Sequence, residues 1–302
     1  MNNSLPKVSI IFPNYNGGRL SLDCLQSIKK LNYPKEKIET VVVDNGSTDG
    51  SDIKIKSKFP NVKLIKNKQN LGFAKAINIG VEKAKGSFFL ITNNDVIIDK
   101  DCVGNLITFL QKTPSIGIIG PAIYDLKNPQ KILGYPLRYH FYLGTFTKLP
   151  FINSPQEVDW VQGCSLLCSA KLFKKLDGLD EGFFFTGEEL DFCLRAKKIG
   201  YKTVYYPNAK IWHAGGTTIN QPAMENFKHF EGYKSKFRLL FKHATLLQIA
   251  TALTLQFLIF TPYRRLILRE KSLVPAIRAF IWNLANLPKT FKLRQTIYAK
   301  LS

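Results

Sequence analysis

The first hundred residues alternate between short apolar runs and stretches of helical period, and this alternation restricts the fold more than any other feature. Val8-Ser9-Ile10-Ile11-Phe12 reads as a strand that breaks at Pro13-Asn14-Tyr15-Asn16-Gly17-Gly18. Leu22, Leu25, Ile28 and Leu31 then recur three apart and predict a helix over about 20–31, closed before Pro34. Glu39-Thr40-Val41-Val42-Val43 is β-branched and runs into Asp44-Asn45-Gly46-Ser47-Thr48-Asp49-Gly50. A helix over 52–58, a strand over 62–65, a helix over 72–85 and a strand over 88–92 follow, the last leading into Asn93-Asn94-Asp95. Strands of this length separated by helices pack as a mostly parallel sheet covered on both faces. Ligands of such sheets bind at the carboxyl ends of the strands, near a switch in strand order. Each strand here ends in polar or Gly-rich residues, so a site is expected along that edge.

The loops carry no G-x-G-x-x-G and no G-K-[ST], which argues against dinucleotide-binding and phosphate-loop folds. Two readings fit Asp44: a carboxylate that accepts hydrogen bonds from a ribose or a base, or a side chain that caps its own turn. Asn70-Leu71-Gly72-Phe73-Ala74-Lys75 reads equally as a helix start or as a ligand contact, with Asn70 capping, Gly72 allowing close approach and Lys75 in the early turns. Asp95 follows a nearly charge-free strand. It is either an N-cap ahead of Val96 or an oxygen ligand for Mg²⁺ or Mn²⁺.

Farther along, Gly187-Glu188-Glu189-Leu190-Asp191-Phe192-Cys193-Leu194-Arg195 concentrates charge beside the aromatics 183–185. Glu188, Asp191 and Arg195 share one helical face, and Glu189 points about a quarter-turn away. A shielded carboxylate here suits a general base, and a surface ion pair on an amphipathic helix is the plainer account. His213, between Trp212 and Ala214-Gly215, is a candidate ligand that would complete a mixed site with Asp95. Among the Pro- and aromatic-rich residues 121–160, Trp160 is singled out with nearby Gln162 as a candidate acceptor contact.

Seven of these pieces occur in the order in which they occur in one family. Pro13-Asn14-Tyr15-Asn16, Val43 to Ser51, Asn70 to Ala74, Thr92 to Asp95, Trp160-Val161-Gln162-Gly163, Gly187 to Asp191 and Trp212 to Gly215 resemble the inverting family 2 glycosyltransferases, especially their rhamnosyltransferase-like branch. The similarity covers roughly residues 6–240. It implies an α/β GT-A fold with a mostly parallel central sheet flanked by helices, a nucleotide-binding half over about 1–120 and an acceptor-binding half over 121–240. The donor, a nucleotide-diphosphate sugar, would lie against Pro13, Tyr15, Asn16, Asp44, Asn70, Gly72, Lys75, Asn94 and Asp95. The resemblance further implies Asp95 and His213 as ligands of Mg²⁺ or Mn²⁺, Glu189 as the catalytic base, and Trp160, Gln162 and Glu188 on the acceptor side. The acceptor would be a glycan or lipid-linked saccharide of a cell-surface polysaccharide.

Two positions depart from the family pattern. The metal element is reduced to Asn93-Asn94-Asp95, with one carboxylate, and Glu189 stands where Asp is common, which keeps Asp191 as a rival base. The implied reaction is a direct displacement with inversion. A sugar-nucleotide-forming nucleotidyltransferase and a catalytically inactive relative are the alternatives.

Charge and the C-terminal region set the remaining expectations. The 43 Lys and Arg against 22 Asp and Glu give a net charge of +21, which attracts nucleic acid, anionic lipid or phosphorylated substrates. No nucleic-acid motif is present, and nucleic acid is not expected as a partner. Residues 244–263 contain no charge, while residues 264–302 carry nine Lys and Arg against one Glu. An apolar helix beside a basic stretch is expected to hold the tail, 241–302, on an anionic membrane surface from the cytoplasmic side. An interfacial helix is preferred to a span, because Gln248, Gln256 and several threonines interrupt it. The N-terminal apolar run is strand-length and offers no secretory signal. Cys24, Cys102, Cys164, Cys168 and Cys193 fit no disulfide or zinc pattern and are expected as buried thiols.

Overall fold

The strand–helix alternation becomes a block of four parallel strands in the computed structural model, which describes residues 5–215, 224–269 and 273–301. In chain order the elements are β1 (Val8–Asn14), α1 (Gly18–Lys29), β2 (Ile38–Asp44), α2 (Ser51–Lys58), β3 (Lys63–Lys66), α3 (Phe73–Lys83) and β4 (Phe88–Thr92). They pair in the order β4-β1-β2-β3, all parallel. The chain steps outward from β1 to β3 and then returns to the far side of β1. Strand order therefore switches at β1, and the register Asn14↔Asp44 puts both residues at the carboxyl edge beside that switch. Val8, Ile10 and Phe12 pack with Val42 and Leu90 in one core cluster. Ile11, Val41 and Val43 alternate with them and are also buried. Burial of both faces is why these strands read as unbroken apolar runs.

The second half of the sheet is mixed. The elements after β4 are β5 (Val96–Ile98), α4 (Cys102–Lys112), β6 (Ile116–Asp125), β7 (Ile132–Gly134), β8 (Leu137–His140), β9 (Thr145–Lys148), β10 (Gln156–Val158), β11 (Ser165–Ser169), α5 (Ala170–Lys175), α6 (Glu188–Lys198) and β12 (Lys202–His213), of which β8 and β9 pair apart as a two-stranded sheet. The full order is β10-β12-β6-β11-β4-β1-β2-β3. Strand β11 runs antiparallel between β4 and β6, and β5 runs antiparallel along β12. This corrects the helix-cap account of Asp95, because Val96 begins a strand.

The C-terminal extension is helical: α7 (Glu225–His243), α8 (Leu246–Leu255), a π-helical turn at Gln256–Phe260, α9 (Thr261–Leu266), α10 (Leu273–Ala285) and α11 (Leu287–Leu301). The chain forms two compact units. One comprises Met1–Pro136, Pro150–Phe184 and Glu188–Gly215 as far as they are described; the other comprises Leu137–Leu149, Phe185–Gly187 and Gly216–Ser302. The boundary expected at 240 lies inside α7. Phe237, Leu240 and Phe241 share a core with Ala252, Ala276 and Ala279, which ties α7 to the helices after it.

The stretch Leu246–Leu266 is long and apolar enough to cross a membrane, with a mean hydropathy of 1.4. Its inward face includes polar residues. Ala252, Gln256 and Thr261 point inward, and Phe257 stacks on Phe237 with ring centroids 5.9 Å apart. Gln256 is buried because its amide donates to Thr261 Oγ1 at 2.7 Å and its carbonyl accepts from Lys236 Nζ. The extra residue of the π turn keeps the inward positions in register past Phe257. Leu246, Leu247, Leu258 and Ile259 remain exposed.

Candidate active site

The loop after β2 is built by hydrogen bonds from the neighbouring strand. Asn14 Nδ2 donates to Asp44 Oδ1 at 2.7 Å and to Ser51 Oγ at 2.9 Å. Asp44 Oδ2 accepts from the Ser47 amide at 3.1 Å, so the carboxylate does cap its own turn and is almost fully buried. Asn16, in the left-handed region at φ 50, accepts from the Thr48 amide at Oδ1 and donates its own backbone amide to Ser47 Oγ. Tyr15 beside it is exposed, and Pro13 pairs with Val43. The network continues from Asn14 through Ser21 Oγ to Asn94 Nδ2. Asp44 and the Asn94-Asp95 turn thus share one rigid polar edge.

The Asn70–Lys75 segment closes the same edge. Asn70 Oδ1 accepts from the Gly72 amide at 3.0 Å, and Asn45 Nδ2 donates to the Gly72 carbonyl at 3.2 Å. Gly72 is required: its φ is +84, and a Cβ there would stand 2.6 Å from the Phe184 carbonyl oxygen. Lys75 Nζ lies 3.3 Å from Glu181 Oε2 with both side chains half exposed, a pair that contributes little to stability.

Strand pairing brings Asp95 and His213 together. In the β5–β12 ladder Val96 faces His213, and the Ala214 amide donates to the Asp95 carbonyl at 3.0 Å. His213 Nε2 lies 3.1 Å from Asp95 Oδ1. The approach lacks hydrogen-bond alignment, since buried Nε2 has no hydrogen-bond partner. The carboxylate and the imidazole thus stand side by side with that nitrogen unbonded. The pair fits Mg²⁺ or Mn²⁺, with the remaining positions open to phosphate oxygens and water. No group of three or more His, Cys, Asp or Glu side chains forms a closed metal cage among the described residues.

The acidic cluster opens α6, where Glu188, Glu189 and Asp191 lie in the first turn and Arg195, Lys197 and Lys198 in the last, in keeping with the helix dipole. Asp191 and Arg195 make a buried ion pair, which rules out the plainer account of a surface pair. Arg195 Nε donates to Asp191 Oδ2 at 2.8 Å, Nη2 donates to the Gly178 carbonyl at 2.9 Å, and Nη1 to that of Leu176. With Asp191 at 0% and Arg195 at 3% exposure, this pair anchors α6. Glu188 is also buried. Burial, then the charge of Glu189 and a hydrogen bond with it, hold the Glu188 carboxyl well above the usual carboxylate range.

Glu189 is only partly buried. It packs against Gly163, where a Cβ would stand 2.9 Å from Glu189 Cδ and 3.0 Å from Oε1. Gly163 belongs to the Trp160–Gly163 segment, but its spacing role had no sequence signal of its own. The adjoining residue links the two acidic positions: the Cys164 carbonyl accepts from Thr92 Oγ1 at 2.7 Å. The Cys164 thiol is pushed up chiefly by burial and further by the charges of Asp95 and Glu189. Trp160 is buried, and Gln162 is half-buried with Oε1 close to Gly134. All five cysteines are free and buried, as expected.

A mixed α/β sheet flanked by helices, with polar loops at its switch point and a helical C-terminal extension, is the GT-A architecture. The profile of "Glycosyl transferase family 2" matches residues 9–176, and the chain belongs to that family. It is 27% identical over 206 residues to the N-acetylglucosaminyl-diphospho-decaprenol L-rhamnosyltransferase of Mycobacterium tuberculosis (strain CDC 1551 / Oshkosh), a match covering 58% of this chain and 66% of that protein. It is 31% identical over 205 residues to glycosyltransferase GlyG of Streptococcus pneumoniae serotype 4, covering 64% and 66%. In both cases the match spans slightly less than two thirds of the relative. Among solved structures, the mannosyltransferase PcManGT of Pyrobaculum calidifontis in complex with GDP-Man and Mn²⁺ superposes with a TM-score of 0.60 at 18% identity, covering 99% of this chain and 86% of that one. S. aureus TarS 1-349 in complex with UDP-GlcNAc gives a TM-score of 0.63 at 17% identity, covering 97% and 88%. These likenesses show the GT-A fold.

Proposed function

We propose that this protein is an inverting glycosyltransferase that moves a sugar from a nucleotide-diphosphate donor to a hydroxyl of a glycan or lipid-linked saccharide. The observation that carries the proposal is the Asp95–His213 pair, 3.1 Å apart without hydrogen bonding, at the strand edge that continues into the Asp44 loop. Asp44, Asn16, Asn70 and Gly72 hold the donor's nucleotide, with Pro13, Tyr15, Lys75 and Asn94 around it. Asp95 and His213 hold Mg²⁺ or Mn²⁺, which when bound offsets negative charge on the departing diphosphate. The GDP-Man and Mn²⁺ of the superposed mannosyltransferase and the UDP-GlcNAc of TarS support this donor and cofactor class.

Glu189 removes the proton from the acceptor hydroxyl as its oxygen attacks the anomeric carbon opposite the leaving group. Burial and the charge of Glu189 raise the pKa of neighbouring Glu188, so of the two carboxyls Glu188 holds its proton the more tightly. Asp191 is committed to Arg195, which favours Glu189 as the base. Gln162 and Trp160 lie on the acceptor side. Similarity to the mycobacterial enzyme supports rhamnose as the sugar and a lipid-linked saccharide as acceptor. The exposed apolar helix and basic tail support peripheral attachment at the cytoplasmic face of the membrane.

The test is Glu189→Gln, assayed for transfer across a panel of nucleotide sugars and for donor binding by titration. Transfer nearly abolished with donor affinity kept is the expected result. Substantial transfer by the variant would remove Glu189 from the chemistry.

A further inference from the structure

The helical unit contains an arginine-lined cavity that sugar transfer does not require. Its volume is about 560 Å³, and Phe230, Arg265, Arg269, Val274 and Arg278 are among the residues that line it. Among the described residues its lining includes no acidic side chain. Arg265, Arg269 and Arg278 line one concavity, and the forked donors of arginine match phosphate oxygens better than lysine does. The Arg278 guanidinium lies 5.9 Å from the centroid of the Phe230 ring, so one side of the cavity is an aromatic face.

The same two stretches that supply the arginines also expose aliphatic side chains. Leu266 is 73% exposed, and Ile267, Leu268 and Val274 are each more than half exposed. A soluble phosphate would gain nothing from them, and a run of exposed aliphatics marks an interaction surface. Basic side chains alternating with outward Leu, Ile and Val fit the boundary between lipid headgroups and acyl chains.

We propose that this cavity binds the phosphate headgroup of an anionic membrane lipid, with Arg265, Arg269 and Arg278 holding the phosphate and Leu266, Ile267 and Val274 seated among the acyl chains. The assignment rests on the membrane attachment proposed above and adds to it the residues that select lipid charge.

The experiment is co-sedimentation of the full chain with phosphatidylcholine vesicles, with and without phosphatidylglycerol, at fixed ionic strength. Wild type is expected to bind both and to gain affinity from phosphatidylglycerol. Arg265→Gln with Arg278→Gln should remove most of that gain, roughly fivefold per arginine, and leave binding to phosphatidylcholine unchanged. Lys56→Gln with Lys58→Gln, an equal loss of charge on α2, should retain the gain. A circular dichroism melt of each variant confirms that it is folded. If the arginine variant keeps the phosphatidylglycerol gain, or the lysine variant loses as much, the headgroup site is wrong and membrane attachment stands. Failure of wild type to bind either vesicle sinks both. Saturable binding of inorganic phosphate with no phosphatidylglycerol dependence would assign the cavity to a soluble anion and overturn the lipid assignment.

Discussion

Gly163→Ala isolates the placement of the proposed base from everything else in the site. The new methyl would stand 2.9 Å from Glu189 Cδ and 3.0 Å from Oε1, against an ordinary contact of 3.4–4 Å. The carboxylate must therefore retreat by roughly half an ångström to one ångström, a displacement that lowers rates by up to about a hundredfold when it moves a reacting group. The obstructed atoms are the far end of a flexible side chain, so the fold can absorb the change, at a stability loss of under about 1 kcal/mol. Steady-state transfer gives kcat and KM, titration gives donor affinity, and a thermal melt gives stability. We expect kcat to fall about ten- to a hundredfold, with donor affinity and melting temperature close to wild type. An unchanged kcat would refute the argument that Gly163 sets the position of Glu189. A kcat loss that tracked a lowered melting temperature would assign the residue to packing.

Three further outcomes follow from the same geometry. Asp191→Asn breaks a buried pair and should destabilise the fold by about 3–5 kcal/mol, read as a lowered denaturation midpoint; the wild-type midpoint would contradict the anchoring role. Glu188 ionises near 4.5 when unfolded but keeps its proton to higher pH when folded, so its contribution to stability declines as pH rises above 4.5. Melting temperatures of Glu188→Gln and wild type should therefore diverge in favour of the variant as pH rises from 4.5 to 8, and parallel curves would reject the shift. Gly72→Val meets the Phe184 backbone and requires a left-handed conformation, so it should lower both donor affinity and stability, measured by titration and melting.

The parallel block was legible because its strands are buried on both faces: Phe88–Thr92 is observed as read, and Val8–Phe12 gains only Pro13 and Asn14. The polar strand ends marked the edge where Asp44 and Asp95 stand. Other features depend on distant pairing. Ser165–Ser169 is too short to declare that it runs antiparallel between β4 and β6, and Val96 could not reveal that it faces His213. An i,i+4 Asp–Arg pair looks the same on a surface helix as in a core, so the burial of Asp191 and Arg195 was invisible. Gln256 misled for the related reason that its partners, Lys236 and Thr261, come from an adjacent helix and from beyond a π turn. A lone glycine such as Gly163 announces no role until the side chain it accommodates is known.

Manganese binding observed by electron paramagnetic resonance, in the presence of a nucleoside diphosphate, addresses the centre of this account. Wild type should bind one ion per chain, Asp95→Asn should abolish binding, and His213→Ala should weaken it. Equal affinity in all three proteins would mean that the carboxylate after β4 and the imidazole at the end of β12 share no cation.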